Sequence, residues 1–133
     1  MLVDTSVWID FFNGYESAEA RLLAAAIADG EPLEIPGIVL VEILAGLRND
    51  AEAARIGSLL EAFDELPAPE RSDYLEAARI FRVCRSRGHT IRSTIDCLIA
   101  QGCLRHDLAL LTKDRDFRVI AGYTELRLVE LST

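Results

Sequence analysis

Five carboxylates in this sequence, although far apart in the chain, lie at positions from which they could act together at one site: Asp4, Glu42, Asp96, Asp114 and Asp116. The first follows the apolar residues "MLV", and the last two follow the apolar run "LALLT". Both runs are predicted strands, and ligands of parallel α/β sheets gather beyond the carboxyl ends of strands. The other two lie in predicted helices. If these side chains converge, they form a negative cluster that a cation would neutralise.

Each acid also has a structural explanation of its own. Asp4 could cap the helix that follows it, because a short acceptor there satisfies free backbone N–H groups. Asp96 follows Ser93 by three residues, which is the spacing of a capping box. Asp114 and Asp116 could be solvated side chains of a polar turn. Only the complete set therefore favours a shared site.

Glu42 is the acid that is hardest to assign to an ordinary solvated surface. The segment "IVLVEILAG" places apolar residues on nearly every side of it, so the sequence predicts a buried side chain. A buried carboxylate is costly unless it is paired, for example with an arginine, or bound to a metal ion. Both kinds of partner remain open at this point.

A hard divalent cation is the charge expected for such a cluster. Magnesium and manganese prefer carboxylate oxygens and keep several water ligands. Zinc is disfavoured, because the two histidines, His89 and His106, lack ligand spacing to a cysteine. The sequence therefore predicts a site for a hard divalent cation such as Mg²⁺ or Mn²⁺.

Short apolar strands alternate with helices along the chain. Strands are predicted at 1–3, 32–37, 108–112 and 126–131, and helices at about 5–12, 16–29, 38–47, 51–63, 72–87 and 93–106, with "LPAPERS" as a connector and a short helix after "KDRDF". Strands separated by helices imply right-handed crossovers and a parallel sheet covered on both faces. We therefore predict the α/β class, as a three-layer α/β/α sandwich with a short central parallel sheet.

The bulk properties describe one ordinary globular domain. The chain has 133 residues, of which 50% are hydrophobic and 27% charged, so residues 1–133 are expected to form a single domain. Its apolar runs are shorter than the roughly 18 residues needed to cross a bilayer, and no leader is evident, so a cytoplasmic location is expected. The three cysteines form no C-x-x-C pair and are predicted to be buried free thiols.

The ordered segments "VDTSVWID", "VLVEILAG", "STIDCLIA" and "LLTKDRDF" resemble the PIN domain family, in particular the VapC-type ribonuclease toxins of bacterial toxin–antitoxin pairs. The resemblance spans the chain from Asp4 to about Leu131. It implies a catalytic and metal-binding acidic quartet of Asp4, Glu42, Asp96 and Asp114, a further metal-binding acid at Asp116, and supporting polar side chains at Ser6 and Thr112.

The same resemblance implies an activity and its partners. The activity is metal-dependent endoribonuclease cleavage of phosphodiester bonds in structured or looped RNA, with transfer RNA as the expected substrate. The cofactor is Mg²⁺, for which Mn²⁺ can substitute, and the metal stabilises charge on the scissile phosphate. The expected partners are a second copy of the chain, in a homodimer, and a VapB-like antitoxin whose tail covers the acidic groove.

The formal charge of −8 argues at first against a nucleic-acid partner. Part of that charge belongs to the acidic cluster, where metal ions would neutralise it. The segment from 79 to 92, "RIFRVCRSRGHTIR", contains five arginines and no acid. We predict that these side chains bind phosphates along the RNA path, although pairing with nearby glutamates on a solvated helix is an equal alternative. They are Arg79, Arg82, Arg85, Arg87 and Arg92.

Two other functions remain open from the sequence. A phosphatase of the haloacid dehalogenase type also has an aspartate after its first strand, but it usually has a second aspartate two residues later, and here that residue is Ser6. A non-catalytic interaction module could keep the PIN fold and use the acids as caps and salt bridges. Substrate class and divalent-metal binding distinguish these possibilities.

Overall fold

A computed structural model describes residues 1–131 of the chain. The elements are β1 (Leu2–Val3), α1 (Thr5–Phe12), α2 (Ala18–Ala28), β2 (Glu34–Ile35), α3 (Gly37–Ala45), α4 (Asp50–Leu60), β3 (Asp64–Glu65), α5 (Arg71–Ser86), α6 (Thr94–His106), β4 (Leu110–Leu111) and α7 (Asp116–Tyr123). The predicted single domain includes residues 132 and 133, which lie outside this range.

The four strands form one parallel sheet in the order β3-β2-β1-β4. Leu2 pairs with Glu34 of β2 and with Leu110 of β4, so β1 lies between those two strands. Helices separate the strands in the chain and cover the sheet in an α/β/α sandwich. The predicted fold class is therefore confirmed.

Two strand predictions need correction. Strand β3 was not predicted, because Asp64 and Glu65 are exposed acids that lack the apolar pattern of a strand. The predicted closing strand at 126–131 is reduced to one parallel bridge between Leu110 and Leu128. Its pattern is real, since two backbone hydrogen bonds join this segment to Leu110, but the pairing extends no further.

Strands β1 and β4 are buried on both faces. Leu2, Val3 and Leu110 are 0% exposed and Leu111 is 1% exposed. A parallel strand covered by helices on both sides needs apolar residues at every position, which explains the unbroken apolar runs in the sequence. The polar residues that begin at Asp4 and at 112 therefore mark the points where these strands leave the core.

The aromatic cluster of α1 is part of the core. Trp8, the only tryptophan in the sequence, is 0% exposed. Its ring stacks on Phe12 with a centroid separation of 5.8 Å and contacts Phe63 at 5.3 Å. A fully buried single tryptophan reports on global unfolding, so its fluorescence can measure the stability of this protein.

Two remaining features concern membranes and thiols. Within residues 1–131, no helix is both long enough and apolar enough to span a bilayer. Cys84, Cys97 and Cys103 are buried free thiols, as predicted. Burial raises the pKa of Cys97 and of Cys103 to about 12, so both thiols stay protonated and unreactive near neutral pH.

Candidate active site

Asp4 connects the carboxyl ends of the neighbouring strands β1 and β4. It is the N-cap residue of α1, but its side chain makes no capping hydrogen bond. Its Oδ2 atom instead accepts hydrogen bonds from the hydroxyls of Ser6, at 2.8 Å, and Thr112, at 2.9 Å. The structure thus does not support the capping alternative for Asp4, and the site roles of Asp4, Ser6 and Thr112 stay predictions.

The environment of Asp4 disfavours its charged form. The residue is 6% exposed, and this burial raises the pKa of its carboxyl group. The hydrogen bonds from Ser6 and Thr112 stabilise the carboxylate and offset part of that shift. A nearby cation would stabilise the carboxylate further.

The loop that follows β4 is hydrogen-bonded to Ser6 and Thr112, the two side chains that contact Asp4. The backbone N–H of Lys113 donates to Ser6 Oγ at 3.3 Å, and that of Asp114 donates to Thr112 Oγ1 at 3.0 Å. The N–H of Asp116, the first residue of α7, donates to Asp114 Oδ1 at 2.9 Å. These bonds fix the backbone of "KDRD" and the side chain of Asp114, which a freely solvated turn would not do.

Asp96 lies in the first turn of α6, and its carboxylate is the least compensated of the five. Ser93 is the N-cap, and its hydroxyl accepts from the N–H of Ile95 at 3.2 Å. Within residues 1–131 the Asp96 carboxylate accepts no hydrogen bond, so the reciprocal contact of a capping box is not made. The capping explanation therefore does not account for this side chain.

The pKa of Asp96 is raised to about 7. Burial is the largest cause, and the charges of Asp4, Asp114, Glu42 and Asp116 raise it further, in that order. An acid whose pKa responds to four other carboxylates shares their local environment. The five predicted acids thus lie near one another, and their catalytic and metal-binding roles stay predictions.

Three of the acids are close enough to bind one ion. Single carboxylate oxygens of Asp96, Asp114 and Asp116 all lie within 4.8 Å of one another. In the part of the chain that the structure describes, this is the one group of metal-ligating side chains that is so close. Asp116, which the family resemblance implied only as a further acid, belongs to this inner group, whereas Asp4 and Glu42 lie outside it.

The prediction that the Glu42 carboxylate is buried is wrong, because the residue is exposed. The neighbouring Val41 is exposed as well, at 58%, so α3 carries more apolar residues than the core accommodates. Only Val39 and Ile43 of this helix are buried. The apolar pattern of α3 therefore led to a wrong prediction for Glu42, which lies on an exposed face of the helix.

Three side chains around the acids were not predicted from the sequence. The hydroxyl of Thr5 donates to Glu42 Oε1 at 2.8 Å and so joins α1 to α3. The Lys113 ammonium group pairs with Asp10 of α1, which fastens the loop after β4 to that helix. The sequence contains no sign of either contact, apart from the presence of polar residues near predicted site residues. The two residues of each pair are far apart in the chain, so no local pattern connects them.

Arg92 contacts two acids of the inner group. Its Nη2 atom donates to Asp114 Oδ1 at 2.8 Å, and its Nε atom donates to Asp116 Oδ2 at 3.2 Å. Its backbone N–H also donates to Asp116 Oδ2, at 3.0 Å. The sequence predicted Arg92 as a phosphate ligand, and in this structure its guanidinium group pairs with carboxylates instead.

The remaining four arginines differ in how they are satisfied. Arg79 pairs with Glu76 on the same helix, as expected if this segment is a solvated helix face whose arginines pair with glutamates. Arg85 lies over the ring of Phe81, at 5.6 Å, and Arg87 lies over Tyr123, at 5.8 Å. Arg82 is exposed and has no ion pair within residues 1–131. Phosphate binding by these side chains stays a prediction.

The inner group fits a hard divalent cation. Its donors are all carboxylate oxygens, and no histidine or cysteine belongs to it. Arg92 and the Asp116 N–H occupy Oδ1 of Asp114, and both Arg92 contacts to Asp116 fall on its Oδ2 atom. Within residues 1–131, Oδ2 of Asp114 and Oδ1 of Asp116 accept no hydrogen bond, so both can serve as metal ligands together with Asp96.

Comparison of this sequence with known proteins finds a matching family and named relatives. The family model of the PIN domain matches residues 1–123. The chain is 37% identical over 134 aligned positions to VapC ribonuclease Mb1587 of Mycobacterium bovis and, equally, to ribonuclease VapC11 of Mycobacterium tuberculosis. These alignments cover 96% of this chain and 96% of each relative.

Solved structures share the fold at low sequence identity. The fold is similar to that of VapBC2 from Rickettsia felis bound to a DNA fragment from its promoter, with a TM-score of 0.75, 17% identity and 96% coverage of both chains. It is also similar to that of VapBC-1 from nontypeable Haemophilus influenzae, with a TM-score of 0.73, 20% identity and coverage of 99% of this chain and 98% of the other.

Proposed function

This chain belongs to the PIN domain family, and we propose that it is an endoribonuclease toxin of the VapC type, dependent on a divalent metal ion. Its reaction is hydrolysis of phosphodiester bonds in structured or looped RNA, with transfer RNA as the proposed substrate. The observation that carries this proposal is the meeting of Asp96, Asp114 and Asp116 within 4.8 Å. Arg92 is the one cation paired with these three carboxylates within residues 1–131, so the cluster keeps a net negative charge that a divalent cation would neutralise.

The acids of the site have distinct proposed roles. Asp96, Asp114 and Asp116 are the inner metal ligands, and Asp4 completes the site from the buried side. A bound Mg²⁺ or Mn²⁺ supplies Lewis-acid stabilisation of the scissile phosphate and lowers the pKa of a water molecule. Ser6 and Thr112 keep Asp4 in one orientation through its Oδ2 atom.

Glu42 is the proposed proton acceptor. It is exposed at the mouth of the site, so RNA and water can reach it. Thr5 holds its Oε1 atom at 2.8 Å, which orients the carboxylate while the other oxygen has no donor within residues 1–131. An oriented carboxylate with one free oxygen suits general-base catalysis.

The arginine segment is the proposed path of the RNA backbone. Arg82 and Arg85 are exposed on α5, and the chain runs from this helix directly to α6, which carries Asp96. Phosphate contacts position a nucleic acid without reading its sequence, which suits a nuclease that recognises RNA shape. Arg79 must release Glu76 to take part, so its contribution is proposed to be smaller.

Two protein partners are proposed. The named structural neighbours are VapBC complexes, which supports a VapB-like antitoxin for this chain as well. A groove of about 420 Å³, lined in part by Ile38, Val41, Tyr74 and Leu98, crosses α3, α5 and α6. Val41 and Tyr74 are 58% and 54% exposed, and an apolar surface of this kind supports the proposed homodimer.

The decisive experiment expresses the protein and its Asp4→Asn variant in bacterial cells and sequences the new RNA 5′ ends. We expect new ends at one or a few RNA loops with the unaltered protein and none with the variant. Asp29→Asn, which changes an exposed acid outside the cluster, is the matched control and should cleave normally. Trp8 fluorescence verifies that both variants fold. Identical RNA ends with and without Asp4 would refute the proposal.

The two alternative functions are less well supported. The relatives at 37% identity are ribonucleases, and the residue two positions after Asp4 is Ser6, which donates to Asp4 where a haloacid dehalogenase would have a second aspartate. A non-catalytic module would use its acids in caps and salt bridges, yet the carboxylates of Asp4 and Asp96 make no capping bond. Hydrolysis of small phosphate esters, or absence of divalent-metal binding, would revive either alternative.

A further inference from the structure

The guanidinium group of Arg92 lies beside the oxygens that would hold a metal ion. It is bonded to Asp114 at 2.8 Å and to Asp116 at 3.2 Å, and it spans two of the three acids of the inner group. The third acid, Asp96, has no such partner within residues 1–131. The positive charge that pairs with this cluster is therefore part of the protein itself.

We propose that Arg92 is a built-in counter-cation that stabilises the acidic cluster before metal binds and lowers the affinity of the cluster for a divalent ion. This inference rests on the proposed function and concerns the regulation of the same site. Arg92 is not a metal ligand in this scheme, and it acts through the positive charge that it places beside Asp114 and Asp116. Metal binding and the Arg92 ion pairs thus compete for the same negative charge.

The opposite role for Arg92 is to strengthen metal binding by orienting Asp114 and Asp116. A donor that holds one oxygen of each carboxylate could orient both acids for the metal, and its removal would then weaken metal binding. Both acids, however, also accept backbone hydrogen bonds: Asp116 from the N–H of Arg92, and Asp114 from the N–H of Asp116. These bonds survive any change of the Arg92 side chain.

The loss of charge is therefore the larger effect of replacing Arg92. Orientation is retained by the backbone, whereas the repulsion between a guanidinium group and a divalent ion disappears with the side chain. The Arg92 side chain is 75% exposed, so solvent screening keeps the effect moderate. We expect the dissociation constant for Mn²⁺ to fall by about three- to ten-fold in Arg92→Gln.

Arg115 provides a matched control. It lies between Asp114 and Asp116 in the sequence, is exposed, and has no ion pair within residues 1–131. Arg115→Gln removes the same charge next to Asp114 and Asp116 in the sequence, without breaking an ion pair to the acids. A general change in the net charge of the protein would affect both variants equally, whereas the proposed pairing affects only Arg92.

The experiment is calorimetric titration of the unaltered protein, Arg92→Gln and Arg115→Gln with Mn²⁺ in the absence of RNA. Thermal unfolding, followed through Trp8, adds a second readout. Arg92→Gln should bind Mn²⁺ most tightly, melt at the lowest temperature without metal, and gain the largest increase in Tm when Mn²⁺ is added.

Two results would overturn the inference while leaving the proposed function intact. One is equal Mn²⁺ affinity in the two arginine variants, and the other is weaker binding by Arg92→Gln, which would establish the orienting role. If none of the three proteins binds Mn²⁺, the metal-dependent nuclease itself is refuted, and this inference with it.

Discussion

The hydroxyl of Thr112 donates a 2.9 Å hydrogen bond to Oδ2 of Asp4, although 108 positions separate the two residues in the chain. The bond exists because β1 and β4 are parallel neighbours, so the residues just after each strand meet at one edge of the sheet. Thr112 also accepts from the N–H of Asp114 at 3.0 Å. One side chain thus links the buried acid Asp4 to the loop that carries two proposed metal ligands.

Replacing Thr112 by valine should weaken metal binding. The change keeps the side-chain shape but removes a hydrogen bond from Asp4, and we expect about 1 kcal/mol lower stability together with a higher dissociation constant for Mn²⁺. Thr124→Val is the control, because the Thr124 hydroxyl donates to Ile120 at 2.8 Å, away from the acids. Both variants should be destabilised, but only Thr112→Val should change calorimetric Mn²⁺ affinity. An equal affinity in both would remove Thr112 from the site.

The stability of the metal-free protein should fall as pH rises. The pKa of Asp96 is about 7 in the folded protein and 3.8 in the absence of the fold. A raised folded-state pKa means that the folded state binds the proton more tightly, so the contribution is fully present below about pH 4 and is lost as pH rises through 7. Urea unfolding monitored by Trp8 fluorescence should show roughly 2 kcal/mol less stability at pH 8 than at pH 5.

Asp96→Asn should remove most of that pH dependence. Asparagine cannot ionise, so at pH 8 without metal the variant should melt at a higher temperature than the unaltered protein, because both the cost of burying a charge and the repulsion from Asp4 and Asp114 are relieved. At pH 5, where Asp96 is already protonated, the two proteins should melt within a few degrees of each other. Asp29→Asn serves as the control and should melt like the unaltered protein at both pH values. A clear drop in Tm for Asp96→Asn at pH 8 would mean that Asp96 stabilises the helix start.

Divalent-metal affinity should increase with pH. A ligand must be deprotonated to bind the ion, and with a pKa of about 7 Asp96 changes from mostly protonated at pH 6 to mostly ionised at pH 8. We expect the dissociation constant for Mn²⁺ to be about ten-fold lower at pH 8 than at pH 6. Calorimetry in buffers of different ionisation enthalpy should also detect proton release. A constant affinity across this range would show either that Asp96 is not a ligand or that it is already ionised at pH 6.

Glu42→Gln should separate activity from stability. Glu42 is exposed, so the change in unfolding free energy should stay within about 0.5 kcal/mol. If Glu42 accepts the proton of the attacking water, RNA cleavage should fall by about 10²-fold or more. The measurement is the single-turnover cleavage rate of a labelled RNA substrate. Glu61→Gln, at an exposed acid that ends α4, should cleave at the normal rate, and normal cleavage by Glu42→Gln would assign the base elsewhere.

Charge reversal on α5 should weaken RNA binding. Arg82→Glu with Arg85→Glu removes two proposed phosphate contacts, and the dependence of RNA affinity on salt concentration should become shallower. Arg21→Glu with Arg55→Glu, a double variant on other helices, makes the same change in net charge. Filter binding at several salt concentrations compares the two. Equal RNA affinity and cleavage in both double variants would leave the α5 arginines with no role beyond a solvated surface.

Much of the site could be predicted because its acids follow local patterns. Asp4 and Asp114 come just after strands that are apolar at every position, and parallel strands align their carboxyl ends at one edge of the sheet. The order of the four acidic segments further indicated the PIN family, which the match over residues 1–123 confirms. Fold class, family and the region of the site were thus determined by the sequence.

The distances within the site were not predictable in this way. The family resemblance gave Asp116 only as a further acid, and the apolar pattern predicted a buried Glu42, yet the structure groups Asp116 with Asp96 and leaves Glu42 exposed. It also pairs Arg92 with acids 22 and 24 positions away. Such contacts depend on the direction of each side chain and on the packing of helices, and no local pattern records either.

The sequence by itself determined which residues are acidic, which segments are apolar, and therefore which strand ends and helix starts carry charge. Only the tertiary structure decided that three carboxylates lie within 4.8 Å and that an arginine of the same chain pairs with two of them. The physical reason is range: propensity and periodicity act over a few neighbouring residues, whereas the electrostatics of a site are set by atoms brought together from the whole chain.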